Sequence, residues 1–309
     1  MKTKKLLLIF NPKSGKSQIK SELWNIVDIF TKGGYEVTVY PTQKRYDAHD
    51  VIIKKSERFD TVVVCGGDGT LSEAVQGLTA LPPEKRVTLG YLPGGSTNDF
   101  GNSLHIPTEL AEAAKCIVKG EPMNCDCGVF NGKPYLYICA FGAFTDVPYE
   151  TPQKIKNQLG HAAYLLEALK RFNTYTYYHL KVQSEEMKIE DDFILGLVSN
   201  TTSIGGMKNR SEYAPLLNDG LFECVLIKNP SSPAELNNIL TALVTQNFDC
   251  PSLIKFTTKK VTMISNEPIK WTTDGEDGGE HTSVTVEVIH NAYRIIVDNK
   301  YESKENMIF

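Results

Sequence analysis

The first third of the chain alternates short apolar runs with segments whose apolar residues recur every three or four positions. Short apolar runs predict buried strands, and the recurrence near 3.6 residues predicts amphipathic helices. Their alternation predicts a mostly parallel sheet with helices on both faces, an α/β fold. The predicted strands are Leu6–Phe10, Tyr35–Tyr40, Thr61–Cys65 and Val87–Leu92, and the predicted helices are Ser21–Lys32, Ala48–Arg58, Leu71–Leu78 and Glu109–Lys119.

Beyond about residue 124, β-branched and aromatic runs separated by turns predict a second, mainly antiparallel β-sandwich domain. Two helical segments, Lys154–Phe172 and Pro233–Gln246, interrupt it. The pattern divides the chain into domains at 1–123 and 124–292, with a tail, 293–309, that could pack back on the first domain. The strands predicted here are Tyr135–Phe144, Tyr175–Gln183, Phe193–Asn200, Leu221–Ile227, Lys260–Ser265 and Val284–Ile289.

Composition narrows the class of protein. The 309 residues are 41% hydrophobic and 23% charged, which is usual for a globular protein large enough for two cores. The net charge of −4 argues against nucleic-acid binding, because no strong basic field exists to neutralise phosphates. Seven cysteines without a Cys-x-x-Cys pair indicate neither a disulfide framework nor a zinc site. No apolar run is long enough for a signal peptide or a membrane span, so we expect a cytoplasmic protein.

The most informative segment is Gly66-Gly67-Asp68-Gly69-Thr70, which directly follows the apolar run Val62–Cys65. Glycines let a ligand approach the main chain, and N–H groups at a strand-to-helix junction bind anions. Asp68 would repel bound phosphates unless a metal ion or a lysine lay between them, so the segment predicts a metal–nucleotide site. A tight turn without a ligand is the simpler alternative. Neither a Walker A loop nor the dinucleotide fingerprint fits, because the glycines they require fall at Phe10 and Ser72.

Two further polar, glycine-containing loops follow predicted strands. Asn11–Lys16 comes after the first strand, and Pro93–Asp99 comes after the fourth. In a parallel sheet, ligands bind at the carboxyl ends of the strands. All three loops should therefore converge on one crevice, which supports nucleotide binding more strongly than any single loop does.

Three segments of the second domain each allow two interpretations. The carboxylate of Asp219 and nearby carbonyls could ligate a hard cation, or Asn218-Asp219-Gly220 could be a plain hairpin turn. Asp274, in a loop after an apolar strand, could accept a proton from a substrate hydroxyl, or it could belong to a solvated acidic turn. The apolar stripe of Lys154–Phe172 could face a core, or its basic residues could lie on an anionic membrane.

Taken together, these segments resemble the bacterial diacylglycerol kinase-like lipid kinases, which are related through their catalytic domain to sphingosine kinases. The resemblance covers nearly the whole chain. The GGDGT segment alone is shared with NAD kinases and phosphofructokinases, but its combination with the other motifs is specific. The matching motifs are Asn11-Pro12-Lys13-Ser14-Gly15-Lys16, Gly66-Gly67-Asp68-Gly69-Thr70-Leu71-Ser72-Glu73, Pro93-Gly94-Gly95-Ser96-Thr97-Asn98-Asp99-Phe100, Asn218-Asp219-Gly220-Leu221 and Asp274-Gly275-Glu276.

The resemblance implies roles for individual residues. Asp274 would be the general base that deprotonates the lipid hydroxyl. Asp219, with the carbonyls of Leu216 and Leu221, would hold a structural Mg²⁺, and Asp126 would belong to the same polar network. The implied ATP contacts are Asn11, Pro12, Lys13, Ser14, Gly15, Thr42, Gly67, Asp68, Gly69, Thr70, Leu71, Ser72, Glu73 and Ser96.

The implied function is ATP- and Mg²⁺-dependent transfer of the γ-phosphate to a lipid hydroxyl, with diacylglycerol giving phosphatidic acid in phospholipid biosynthesis. The resemblance also implies peripheral contact with the inner face of the membrane, and a homodimer is compatible with it. Two alternatives remain open: an NAD kinase-like enzyme with a soluble substrate, and a nucleotide or lipid sensor without catalysis.

Overall fold

The computed structural model describes residues 3–15, 19–142, 176–201, 203–204, 207–208, 216–245 and 250–299. The N-terminal part alternates strands and helices as the apolar pattern predicts. Its elements are β1 (Lys4–Phe10), α1 (Ile19–Lys32), β2 (Tyr35–Pro41), α2 (Asp47–Lys55), β3 (Thr61–Gly66), α3 (Asp68–Thr79), β4 (Thr88–Pro93), α4 (Asp99–Ser103) and α5 (Leu110–Lys119), with 3₁₀ turns at Ser56–Arg58 and Pro83–Lys85.

Strands β1 to β4 pair side by side in parallel, in the order β2-β1-β3-β4. Their register aligns the carboxyl ends: Phe10 lies opposite Cys65, and Cys65 lies opposite Leu92. The apolar run Val62–Cys65 is completely buried, as its composition requires. Consequently the loops after β1, β3 and β4 leave the sheet at one edge.

The second half is built mainly from antiparallel strands. Its elements within the described ranges are β5 (Glu121–Phe130), β6 (Lys133–Tyr135), β7 (Ile138–Gly142), β8 (Tyr178–Gln183), β9 (Lys188–Ser199), β10 (Ser203–Ile204), β11 (Met207–Lys208), β12 (Phe222–Lys228), α6 (Pro233–Thr245), β13 (Leu253–Thr258), β14 (Lys260–Thr273) and β15 (Glu276–Val297). The predicted helix Lys154–Phe172 lies outside the described residues. In outline this confirms a two-part α/β and β-sandwich-like fold.

The two parts share one sheet, which the division into separate domains did not predict. In the part of the chain that the structure describes, hydrogen bonds connect thirteen strands, and β15 makes the junction. This 22-residue strand pairs antiparallel with β14 and β5, and Ile295 near its end pairs in parallel with Leu89 of β4. Tyr293, Ile295 and Val297 therefore lie in the core of the first part.

Two main hydrophobic cores correspond to the two parts. The first lies between β1, β3 and β4 and the helices that cover them, and the second surrounds Trp271, Phe141 and Phe130. The Trp271 ring lies 4.8 Å from that of Phe141 and 5.3 Å from that of Phe130, centroid to centroid. All seven cysteines are free thiols, and six are buried. No helix in the described ranges is long and apolar enough to cross a membrane.

The predicted strand Tyr135–Phe144 is interrupted, and this break matters for the site. Strand β6 ends at Tyr135 and β7 begins at Ile138. Between them the backbone N–H groups of Leu136 and Tyr137 turn away from the sheet and donate to the carboxylate of Asp274. The pattern predicted one strand because the whole run is apolar, and an N–H that bonds to a side chain leaves no trace in such a pattern.

Candidate functional site

The three glycine-containing loops meet backbone to backbone at the edge of the sheet. Gly15 has a positive φ of 50°, and a methyl group placed on it would lie 2.3 Å from the carbonyl oxygen of Gly94. The N–H of Gly94 donates to the carbonyl of Gly66 at 2.8 Å. A methyl on Gly95 would lie 2.5 Å from the Cα atom of Gly67. The convergence predicted from the strand order is therefore present, and only glycine allows it to be this close.

We expect Gly95→Ala to destabilise the protein by about 2–3 kcal/mol, because its methyl group has no space beside Gly67. Thermal or denaturant unfolding measures this loss directly. Gly69→Ala is the matched control, since its methyl group would come no closer than 3.8 Å to the nearest heavy atom outside the local chain. Equal stability of the two variants would contradict the close packing of the loops.

Asn98 and Tyr91 hold the third loop in place by hydrogen bonds. Asn98 has a positive φ of 53°, and its Oδ1 accepts the N–H of Gly95 at 2.9 Å. The buried Tyr91 hydroxyl lies 3.0 Å from the carbonyl of Gly66 and 3.2 Å from Asn98 Oδ1. These contacts hold the second and third loops in a fixed relation.

The first loop is held against the second by Asn11. Its Nδ2 donates to Thr70 Oγ1 at 3.4 Å, its Oδ1 accepts the N–H of Lys13 at 2.9 Å, and its carbonyl accepts the Ser14 hydroxyl at 3.1 Å. Thr42 joins this group, because its N–H donates to the carbonyl of Phe10 at 2.9 Å. The predicted nucleotide contacts of the first loop and Thr42 therefore lie at the same edge of the sheet as GGDGT.

Asp68 links the second loop to the start of α4. Its carboxylate accepts the N–H groups of Asp99 at 3.2 Å and Phe100 at 3.3 Å. Burial raises the pKa of Asp68 to about 6, although the N–H of Phe100 opposes the shift and the nearby Asp99 adds to it. Ionised Asp68 is thus costly on its own and would be stabilised by a cation beside it.

Three predicted nucleotide contacts serve other purposes in the structure. The side chain of Leu71 is fully buried in the core, and its N–H donates to the carbonyl of Gly67 at 3.1 Å. The hydroxyl of Ser72 donates to Asp274, and the carboxylate of Glu73 accepts the N–H of Tyr46. These contacts connect α3 to the core, to Asp274 and to the residue that precedes α2.

A cleft of about 230 Å³ separates the loops from the second half of the chain. Gly67, Asp68 and Gly69 of the second loop line one side, and Tyr137, Asp274 and Gly275 line the other. Of the residues predicted for the site, Ser96 also lines the cleft. Sequence reasoning gave no role to Thr97, Asp99 or Tyr137, which complete the lining.

Asp274 belongs to the second half of the chain and bonds to Ser72 in the first half. Both oxygens of its carboxylate accept hydrogen bonds. Oδ2 accepts the Ser72 hydroxyl and the N–H of Leu136, both at 2.6 Å, and Oδ1 accepts the N–H groups of Tyr137 at 2.9 Å and Ile138 at 3.3 Å. Burial raises the pKa of Asp274, and these four donors oppose the rise. Because two carboxylate oxygens offer about four acceptor positions, none remains for a substrate proton. The arrangement favours an anchoring role over the predicted role as base.

Glu276, two residues later, has the exposure that Asp274 lacks. Its Oε1 lies 3.8 Å from a methyl group placed on Gly69, and its Oε2 lies 2.6 Å from Nη2 of Arg45. It is the last residue of the Asp-Gly-Glu motif, so the sequence contained the signal. Choosing between the two carboxylates required the hydrogen bonds.

The predicted metal loop forms a turn at one end of β12. Asp219 Oδ1 accepts the N–H of Leu221 at 2.9 Å. The fully buried Asp126 ties this turn to β15: it accepts the N–H of Gly220 at 2.6 Å and the N–H of Asn291 at 2.7 Å, and its Oδ1 lies 2.9 Å from His290 Nδ1. Asp126 therefore belongs to the network around Asp219, as the resemblance implies.

Two buried oxygen atoms near this turn have no hydrogen-bond donor in the described part of the chain: Asn200 Oδ1 and Glu223 Oε2. Asn200 Nδ2 lies 3.4 Å from the carbonyl of Leu217, and Glu223 pairs with Ser199, the neighbour of Asn200. Burial raises the pKa of Glu223 to about 8. Unpaired oxygens fit a hard cation, although no three His, Cys, Asp or Glu side chains within the described ranges group as metal ligands. The side chains of Leu216 and Leu221 carry no metal-binding atoms, so the predicted contribution of these two residues is limited to their backbone carbonyls.

Comparison with known proteins agrees with the geometry. Residues 5–130 match the model of the diacylglycerol kinase catalytic domain, and residues 146–297 match the YegS C-terminal NAD kinase beta sandwich-like domain. A diacylglycerol kinase of Staphylococcus carnosus (strain TM300) is 32% identical over 280 residues, which cover 90% of each chain. A diacylglycerol kinase of Bacillus subtilis (strain 168) is 28% identical over 305 residues, covering 98% of this chain and all of the relative.

The fold has a counterpart among solved structures. The crystal structure of a candidate diacylglycerol kinase from Bacillus anthracis str. Sterne superposes with a TM-score of 0.81 at 25% identity, covering 98% of this chain and 100% of that chain. A diacylglycerol kinase structure from the same organism gives a TM-score of 0.75 at 23% identity, which supports the fold alone. The motifs, the converging loops and these matches agree, and the chain belongs to the diacylglycerol kinase-like family of lipid kinases.

Proposed function

We propose that this enzyme transfers the γ-phosphate of ATP to a lipid hydroxyl, and that diacylglycerol is the acceptor and phosphatidic acid the product. The observation that carries the proposal is the cleft with residues of the glycine-containing loops on one side and Asp274 and Gly275 of the Asp-Gly-Glu motif on the other. The names of the relatives, which are diacylglycerol kinases, support this acceptor over other lipids.

The nucleotide would lie along the edge where the three loops meet. The backbone N–H groups and small side chains of Asn11–Gly15, Gly67–Thr70 and Ser96 would bind the phosphates, with Thr42 beside them. Close packing of the loops fixes these donors before ATP arrives, so binding requires little rearrangement. Asp68, with its raised pKa, would hold Mg²⁺ at the phosphates. When bound, Mg²⁺ neutralises charge that develops on the transferring group.

We assign the general base to Glu276. The acceptor oxygen attacks the γ-phosphorus while its proton passes to Oε1 of Glu276, and the bond between the γ-phosphorus and the β,γ-bridging oxygen breaks to release ADP. Glu276 is exposed beside Gly69, whereas the acceptor positions of Asp274 are filled. Asp274 instead keeps the segment that carries Glu276 against Gly66-Gly67-Asp68-Gly69-Thr70, the proposed phosphate loop.

The division into a nucleotide domain at 1–123 and a lipid domain at 124–292 also remains our proposal, as do peripheral membrane contact and a homodimer. Diacylglycerol resides in bilayers, so its kinase must reach a lipid surface.

The proposed structural Mg²⁺ gives a prediction that does not depend on turnover. Saturating Mg²⁺ should raise the melting temperature of the wild type, by an amount that corresponds to about 2.7 kcal/mol at a hundred times the dissociation constant. Asp219→Ala should lose this Mg²⁺-dependent increase, while the exposed Glu84→Ala should keep it. An increase of equal size in Asp219→Ala would contradict metal binding at this turn.

The acceptor is tested with purified protein, Mg²⁺ and ATP that carries a radiolabel in its γ-phosphate. Separate assays offer diacylglycerol, sphingosine and phosphatidylglycerol in mixed micelles and NAD in buffer, since the second domain matches an NAD kinase-like sandwich. We expect phosphatidic acid from diacylglycerol and loss of that product in Glu276→Gln. Phosphorylation of NAD alone would establish a soluble-substrate kinase instead, and ATP binding without any transfer would favour a sensor.

A further inference from the structure

An ion pair beside Gly69, one of the residues that line the cleft, joins two distant parts of the chain. Arg45 lies in the loop between β2 and α2, and Glu276 is the first residue of β15. Arg45 Nη2 lies 2.6 Å from Oε2 of Glu276, while Oε1 of the same carboxylate faces Gly69. The arginine therefore holds one oxygen and leaves the other directed at the phosphate loop.

This pair contributes little to the stability of the fold. The side chains of Arg45 and Glu276 are 65% and 57% exposed. Exposed ion pairs contribute about 0–1 kcal/mol to stability, because water and salt screen them. Stabilisation of the fold therefore does not account for the geometry of the ion pair.

The backbone around Arg45 is fixed in an unfavourable conformation. Tyr46 has a positive φ of 62°, which costs a residue with a side chain about 1–2 kcal/mol. The N–H of Tyr46 donates to Oε1 of Glu73 on α3 at 2.8 Å, and Asp47 accepts the N–H of Gln43 at 2.7 Å. The guanidinium carbon of Arg45 lies 5.7 Å from the centre of the Tyr46 ring. These contacts anchor the loop that carries Arg45 on α3, and they hold Arg45 on the side of Glu276.

We propose that Arg45 is a positioning residue for phosphoryl transfer: it directs Glu276 towards the acceptor hydroxyl. Arg45 retains Oε2 while Oε1 receives the hydroxyl proton, so the carboxylate keeps one orientation during the step. This inference rests on the proposed function, because it assigns to Arg45 the orientation of the base named there. The acceptor and ATP need not contact Arg45 at all.

The test begins with Arg45→Gln in the purified full chain. At saturating ATP and diacylglycerol we expect kcat to fall roughly 10- to 100-fold, because small misplacements of a reacting group have effects of this size. The dissociation constant for ATP, measured by calorimetry, and the melting temperature should stay within error of the wild type. Arg45→Lys should recover part of kcat. Lys44→Gln is the matched control, since Lys44 pairs with Asp50 and should leave kcat unchanged.

The double variant with Glu276→Gln separates this role from direct phosphate binding. If Arg45 acts through Glu276, adding Arg45→Gln to Glu276→Gln lowers kcat no further. Full activity of Arg45→Gln, weaker ATP binding with kcat retained, or multiplying losses in the double variant would each overturn the inference. Wild-type transfer by Glu276→Gln would instead overturn the base assigned in the proposed function. An inactive Glu276→Gln beside a fully active Arg45→Gln would overturn the inference alone.

Discussion

Glu276→Gln should lower kcat by about 10²- to 10⁴-fold, the usual contribution of a positioned general base. Glutamine keeps the shape of the side chain but cannot take up the hydroxyl proton. Because Glu276 is exposed and its contact with Arg45 contributes little to stability, the variant should fold and bind ATP as the wild type does. Steady-state kinetics with diacylglycerol micelles, with ATP binding measured separately, provides the comparison.

Asp277→Asn is the control for this substitution. Asp277 is the next residue, is exposed, and its carboxylate accepts the N–H of Gly279 at 3.0 Å. Its kcat should match that of the wild type. Should Glu276→Gln retain kcat within a factor of about three, the proton would have to leave by another route, and Asp274 would return as the candidate base.

The sequence predicted where the site lies because that inference depends only on strand order. Once β1, β3 and β4 were recognised as apolar runs in an alternating pattern, their following loops had to meet at one edge. The glycines then indicated close backbone contact, which the 2.5 Å approach of a methyl on Gly95 to Gly67 makes concrete. Periodicity and glycine content carry this information directly.

The roles of the two acidic residues could not be predicted in the same way. Asp274 and Glu276 are both carboxylates in one short turn, and only the structure reveals that the first accepts four hydrogen bonds. Three of the donors are backbone N–H groups of Leu136, Tyr137 and Ile138, which sit more than 130 residues earlier. Backbone donors are common to all residues except proline, so their use at a distant side chain has no sequence signal.

The apolar pattern also missed one short helix, α4, and most of one long strand, β15. Helix α4 has only five residues, fewer than the two turns that an apolar period needs to become visible. Strand β15 was predicted as Val284–Ile289 but spans Glu276–Val297, because its polar first half is held by pairing with β14 and not by burial. That extension places Glu276 beside Gly69 and Ile295 beside β4.

Asp274→Ala should cause the largest combined loss of stability and activity. It leaves the N–H groups of Leu136, Tyr137 and Ile138 and the hydroxyl of Ser72 without their acceptor, and each unpaired buried group costs about 1–3 kcal/mol. We therefore expect the free energy of unfolding to fall by roughly 3 kcal/mol or more. Transfer should fall at least about 100-fold, because the segment with Glu276 loses its fixed distance from the phosphate loop.

An anchoring role and a role as base for Asp274 are distinguished by comparing changes in stability with changes in kcat. An anchoring Asp274 lowers the melting temperature and kcat in parallel, and Ser72→Ala, which removes one of the four donors, should lower both by a smaller amount. If Asp274 were the base instead, Asp274→Ala would still lose stability with these four hydrogen bonds, but Glu276→Gln would retain kcat. Denaturant unfolding and kinetics on Asp274→Ala, Ser72→Ala and Glu276→Gln therefore decide the matter: stability should fall in the first two variants and remain at the wild-type value in the third.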